Sequence, residues 1–104
     1  MDKIFLEQSK CPIKKTLDII GGKWKLRIIF QIGSEIRRYG ELRKLMPDIS
    51  EKMLIQELKS LVEYGVLSKK SYHQIPPKVE YNLTEKGFKL IPIIDLMKEF
   101  GAEN

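Results

Sequence analysis

Apolar positions in the first third of the chain recur at helical spacing. Ile13, Leu17 and Ile20 form one stripe of a segment that opens at Cys11-Pro12 and stops at Gly21-Gly22. Residues three and four apart share a helix face, and proline is favoured at the first helical position, where no backbone donor is lost. From Lys23 to about Ile32 a second helix is apolar on most sides, with Trp24, Leu26, Ile28, Ile29, Phe30 and Ile32. A helix apolar all round is normally central to a core, so Trp24 is assigned to packing. Lys23, Lys25 and Arg27 are left to solvent or to a phosphate.

Tyr39 to Gly65 reads as two helices joined by a sharp turn. The first, roughly Tyr39 to Met46, places Leu42, Leu45 and Met46 at helical spacing. Pro47 ends it, because the residue before a proline is pushed out of the helical region. Ser50 is a good N-cap, its oxygen free to accept from a backbone N–H of the next turn. The second helix runs from about Glu51 to Tyr64 and buries Leu54, Leu58, Leu61 and Val62. Gly65 follows as a residue able to take the left-handed conformation that closes a helix. The opposite face offers Lys52, Met53, Gln56, Lys59, Ser60 and Glu63. Lysine matches guanine O6/N7 and glutamine pairs bidentately with adenine, so this face suits the major groove of DNA. The same pattern also fits an amphipathic surface helix whose polar face is only solvated.

After Gly65 the period changes to two. Val66 to Gln74 and Lys78 to Leu83 are expected strands; in the second, Val79, Tyr81 and Leu83 alternate with polar residues. Pro76-Pro77 removes two backbone donors and marks the loop tip between them. A short edge strand at Ile36-Arg37 is also expected. Thr84 caps a last helix to about Phe100, closed by Gly101 and kinked or split at Pro92. Its apolar residues exceed one stripe, so some await cover from outside the protomer. The fold class is mainly α with a small β-hairpin: a single winged helix-turn-helix domain over 1–104. It comprises an N-terminal arm (1–10), the helix-turn-helix (39–65), the wing (66–83) and a C-terminal helix (84–100), with terminal helices available for dimerisation.

A chain of 104 residues, 42% hydrophobic and 32% charged, is expected to fold as one domain with one modest core. Its net charge of +5, from 19 Lys+Arg against 14 Asp+Glu, favours a polyanionic partner. The positive charge concentrates at Arg37, Arg38, Arg43 and Lys44, away from the acidic C-terminal segment. No apolar run approaches the ~18 residues that would span a bilayer, and no signal-peptide core is seen. The expected address is the cytoplasm, with no membrane partner. A single cysteine cannot form an internal disulfide.

Several motifs, in order and at this spacing, resemble the HxlR-type transcriptional regulators, a MarR-like winged-helix family of bacteria. They are Cys11-Pro12, Asp18-Ile19-Ile20-Gly21-Gly22-Lys23-Trp24, Arg38-Tyr39-Gly40-Glu41-Leu42 and Ile49-Ser50-Glu51-Lys52-Met53-Leu54. Leu58 to Gly65, Val79-Glu80-Tyr81, Leu83-Thr84 and Glu85-Lys86-Gly87 complete the set. The resemblance spans about Cys11 to Gly101. It implies a homodimeric DNA-binding regulator joined through terminal helices, with the helix from Glu51 as recognition helix and the hairpin around Pro76-Pro77 as wing. Some members sense electrophiles or oxidants through a cysteine placed like Cys11. Glu51 departs from the uncharged polar residue that many relatives carry.

The expected interface follows. Ser50, Lys52, Met53, Gln56 and Lys59 are assigned to base readout. Arg37, Arg38, Tyr39, Arg43, Lys44, Lys70, His73 and Lys78 are assigned to phosphate and wing contacts. Ile4, Phe5, Leu6, Leu90, Ile94, Met97 and Phe100 are the expected dimer contacts, the partners being double-stranded DNA and a second copy. Cys11 is a candidate redox sensor, since a helix start favours an anion and hence thiolate chemistry; it is equally a small inert hydrophobe. Met53 is the one apolar residue assigned to the readout face, which argues against a protein-binding module. A regulator answering a small apolar ligand at the dimer interface is a further alternative, its effector unspecified. His73 and Cys11 lie far apart, and no phosphate loop or metal-ligand cluster is seen. No enzyme, cofactor or metal is expected.

Overall fold

The structure is a computed structural model that describes residues 11–104. The N-terminal arm, with the Ile4–Leu6 contacts assigned above, lies outside the described residues. Its elements in order are α1 (Pro12–Ile20), α2 (Lys25–Ile32), β1 (Arg37–Arg38), α3 (Tyr39–Leu45), α4 (Glu51–Glu63), β2 (Leu67–Tyr72), β3 (Lys78–Leu83), α5 (Glu85–Phe88) and α6 (Ile91–Glu103).

The core is built on α2. Ile28, Ile29 and Ile32 are fully buried, and against them lie Leu42 and Met46, Ile49 from the turn, and Leu54, Leu58 and Leu61 of α4. Burying a side chain of this size contributes about 1.5–3 kcal/mol, so the leucine stripe of α4 fixes how that helix is rolled. α2 is less uniformly buried than its composition implies: Phe30 is exposed, and Lys98 of α6 lies 4.9 Å from its ring centre. Leu45, expected in the α3 stripe, also faces solvent. The stripe on α1 is corrected more strongly. Ile20 is buried, but Ile13 is 71% and Leu17 58% exposed. α1 has the period of a packed helix, but among its residues only Ile20 is buried, and Ile13 and Leu17 line an open cleft beside α6.

The sheet has three strands, in the order β1-β3-β2, all antiparallel. β1 pairs Arg37 with Tyr81 and Arg38 with Glu80, one residue on from the expected edge strand. The wing is thus tied at its base to the start of α3. β2 and β3 pair from Leu67↔Leu83 to Tyr72↔Lys78, and Pro76-Pro77 lies in the connecting loop.

Thr84, Lys86 and Gly87, at and just after the cap of α5, hold the end of the helix-turn-helix. Gly65 takes φ 76°, the left-handed region where only glycine is free of strain. The chain turns there from α4 towards β2. The Thr84 hydroxyl caps α5, accepting from Gly87 N–H at 3.1 Å, and its own proton is directed at the carbonyls of Gly65 and Val66. Lys86 donates to the Tyr64 carbonyl at 2.6 Å. Gly87 is buried so close to Val66 that a Cβ would run into its carbonyl oxygen.

The expected C-terminal helix is two helices. The break falls at Lys89-Leu90, so Pro92 sits in the first turn of α6, where it costs no hydrogen bond. Gly101 does not end α6, which runs on to Glu103. Ile94 is 5% exposed and belongs to the protomer's own core, with Leu90 packed against it. Both were assigned to the dimer contact; the outward face of α6 is instead Ile93, Leu96, Met97 and Phe100.

Gly87→Ala should destabilise the fold by about 1–3 kcal/mol, the usual cost of overpacking a close contact, because the clash is with backbone. Urea unfolding checks this; an unchanged midpoint would show that α5 shifts freely away from Val66.

Candidate nucleic-acid interface

The interface is organised by the caps of α3 and α4. At α4, the Ser50 oxygen accepts from Met53 N–H at 3.1 Å, so Ser50 acts first as a cap and keeps only its O–H to donate outward. At α3, the Glu41 carboxylate accepts from Arg38 N–H at 2.8 Å. The turn between them is held from below by α2. Arg27 grips Asp48 with two bonds, 2.9 and 3.1 Å, and stacks over Trp24 with 5.1 Å between guanidinium and ring centre. The Arg27 guanidinium holds the Asp48 carboxyl below the usual carboxylate range. Lys25 pairs with Glu57 at 3.5 Å on the flank of α4. These two cations, left above to solvent or a phosphate, are committed to positioning the helix-turn-helix.

With the leucines facing inward, Lys52, Gln56 and Lys59 project together from the exposed face of α4. Met53 does not join them fully: it is half-buried and packs against the core. Ile55 takes the apolar place on this face, 53% exposed. The helical period could have shown this, since Ile55 lies one position past the buried Leu54 and outside the Leu54–Leu58–Leu61 stripe.

The predicted phosphate residues divide into two groups. Arg37 is half-buried and its Nε–H donates to the Gln31 carbonyl at 3.0 Å. Arg43 donates to the Ile49 carbonyl at 2.8 Å and braces the turn. Lys78 is half-buried, 3.3 Å from Glu80 and over the Tyr72 ring. Tyr72 donates to Glu80 at 2.8 Å; that bond first, then Lys78, lowers the Glu80 pKa. These three cations have internal partners. Arg38, Lys44, Lys70 and His73 are exposed, and Lys70 lies 5.0 Å from the centre of the Tyr72 ring.

Between α3, α4 and the wing runs an open groove of about 660 Å³, lined among others by Arg38, Tyr39, Lys44, Glu51, Ile55 and Lys69. Lys69, on β2, belongs with the exposed cations and was not among the assigned residues. Tyr39 packs against the core, and burial raises its pKa first, with the Glu51 charge adding to it. Among the described residues no cluster of three or more His, Cys, Asp or Glu is placed to hold a metal. No helix among them is long and apolar enough to cross a membrane. Cys11 is half-buried at the N-cap of α1, and its side chain makes no capping bond. Lys14, one of the charges beside it, pairs with Asp18 at 3.1 Å.

A two-helix unit over a central helix, a basic outward face and a hairpin wing within a three-stranded sheet define a winged helix-turn-helix protein. The chain belongs to the HxlR-like helix-turn-helix family, whose family model matches residues 19–104. It is 49% identical over 96 residues to the regulatory protein MalR of Fusobacterium mortiferum, covering 91% of each. Among solved structures it is similar to a MarR-family transcriptional regulator from Porphyromonas gingivalis W83. That match has 55% identity and a TM-score of 0.87, and covers 90% of this chain and 92% of the other. It is also similar to the redox regulator HypR in its oxidized form, at 45% identity and a TM-score of 0.84, covering 90% and 97%. The chain is a transcriptional regulator of this family, not an enzyme.

The division among the cations generates a paired test. Arg43→Ala should lower unfolding stability by about 1.5–3 kcal/mol, the range for a hydrogen bond to a charged group. Lys44→Ala should leave stability unchanged but weaken all duplexes alike and reduce the salt slope of binding by about one ion. Equal effects of the two on the salt slope would show that Arg43 also reaches a phosphate.

Proposed function

We propose that the protein binds a roughly palindromic operator in double-stranded DNA as a homodimer, acting in the cytoplasm. The observation that carries this is the outward face of α4, where Lys52, Gln56 and Lys59 stand exposed between the cations of α3 and those of the wing. Gln56 and Lys52 read bases, and Arg38, Lys44, Lys69 and Lys70 neutralise phosphates. The homodimer follows from apolar surface. Ile13 and Leu17 of α1 lie beside Ile93 and Met97 of α6 around one apolar cleft of about 460 Å³, and Leu96 and Phe100 extend the face. A soluble protein rarely leaves so many large apolar side chains uncovered, and isologous twofold pairing is the commonest cover. Two recognition helices so related would enter major grooves ~34–36 Å apart.

Gln56→Ala should cost about 1–3 kcal/mol in operator affinity and relax one position per half-site. Binding titrations on selected duplexes check this, with stoichiometry read by light scattering. Unchanged affinity and sequence preference, or a monomer on a full palindrome, would overturn the reading.

A second reading concerns control. Cys11 begins α1, whose exposed face belongs to the proposed dimer contact, and the similar regulator HypR is described as a redox regulator in oxidized and reduced forms. A change of charge or size at Cys11 would reach the dimer contact through α1, and so alter the spacing of the two α4 helices. Diamide or a quinone should therefore change operator affinity of the native protein, and Cys11→Ser should abolish that response while leaving basal binding intact. An identical response in Cys11→Ser would leave Cys11 as an inert thiol.

A further inference from the structure

We propose that Glu51 is a specificity-determining residue of the interface: its carboxylate accepts a hydrogen bond from the N4 amino group of a cytosine in each half-site, positioned by the Tyr39 hydroxyl. This rests on the operator-binding reading and adds a base to it.

Glu51 is the first residue of α4, directly after the Ser50 cap, and its side chain is exposed. The N-terminal residues of a helix laid in the major groove are those that meet base edges. A carboxylate there is at odds with its surroundings in the complex, since every phosphate repels it. It is not neutralised inside the protomer: among the described residues no lysine or arginine pairs with Glu51, although Arg38 and Lys44 line the same groove. Facing a major groove, a carboxylate is favoured where it meets hydrogen-bond donors, and the base donors there are exocyclic amino groups.

Base chemistry then narrows the choice. A carboxylate is acceptor-only. Guanine presents N7 and O6, both acceptors, and thymine presents O4 and a methyl group. Adenine offers N6–H beside the acceptor N7, which repels the second carboxylate oxygen. Cytosine offers N4–H₂ with no acceptor next to it on its own major-groove edge. Its paired guanine carries the acceptors that a lysine matches, and Lys52 is the next residue along.

Tyr39 supplies the second, independent observation. Its hydroxyl is buried and has no hydrogen-bond partner among the described residues. A buried unsatisfied donor is costly, so this group is poised for an acceptor. Tyr39 and Glu51 line the same groove, and after the larger effect of burial the Glu51 carboxylate favours the protonated phenol by charge and as an acceptor for the O–H. No bond of ordinary geometry closes in the free protein. When DNA covers the groove and expels water, the Tyr39 O–H closes onto one carboxylate oxygen and leaves the other for the base.

The test is selection of bound duplexes from a random pool by the full-length wild type, Glu51→Gln and Tyr39→Phe, with thermal unfolding of each. The wild type should enrich cytosine at one position per half-site. Glu51→Gln, nearly isosteric, should replace that cytosine with adenine and lose roughly 10- to 100-fold in affinity for the wild-type site, a range set by the worth of one base contact. Tyr39→Phe should keep the cytosine with a several-fold weaker preference. If Glu51→Gln enriches the same sequence as the wild type, Glu51 serves only the dipole of its helix and the proposal falls alone. If Tyr39→Phe keeps the full cytosine preference, Tyr39 has no positioning role. If the wild type enriches no sequence at all, the operator reading fails and takes this one with it.

Discussion

Everything in this structure depends on the burial of one leucine stripe. Leu54, Leu58 and Leu61 of α4 press onto Ile28, Ile29 and Ile32 of α2, all of them at or near zero exposure. That contact is non-directional and strong, and it sets the roll of α4 about its axis. Once the roll is set, Lys52, Gln56 and Lys59 have only one way to point. The orientation of the proposed readout face is therefore a consequence of the core.

The second constraint is that the backbone around the turn needs partners. Arg43 satisfies the Ile49 carbonyl, Arg37 the Gln31 carbonyl, and Arg27 clamps Asp48. Basic residues thus do two jobs in the same few ångströms. Some hold the helix-turn-helix in place, and others, such as Arg38, Lys44 and Lys69, stay exposed on its outer side. Net charge of +5 measures their sum and says nothing of the division.

The third feature is the contrast between the two ends of the fold. The helix-turn-helix and wing close on themselves through Thr84, Lys86 and Gly87. α1 and the outer face of α6 do not close, and expose Ile13, Leu17, Leu96 and Phe100. The two ends of the domain therefore differ in kind: one is closed by hydrogen bonds and packing, the other presents apolar surface, as the proposed dimer requires. Cys11 stands at this apolar end, at the N-cap of α1.

Read alone, the sequence determined every element that local physics controls. Helical spacing placed α1 and α4, Ser50 and Thr84 placed two caps, Gly65 placed the left-handed turn and Pro76-Pro77 the wing loop. These are short-range effects, set by sterics and by hydrogen bonds a few residues apart. Only the tertiary structure decided which apolar and charged residues are used. Period alone cannot tell a stripe that finds a partner from one that does not, so Ile13 and Leu17 looked like core, and Ile94 looked like interface. Nor can it tell a free arginine from one bonded to a carbonyl six residues away, as Arg37 and Arg43 are. The reason is the same in both cases: burial and charge pairing depend on what packs opposite, and the chain writes that down only by folding.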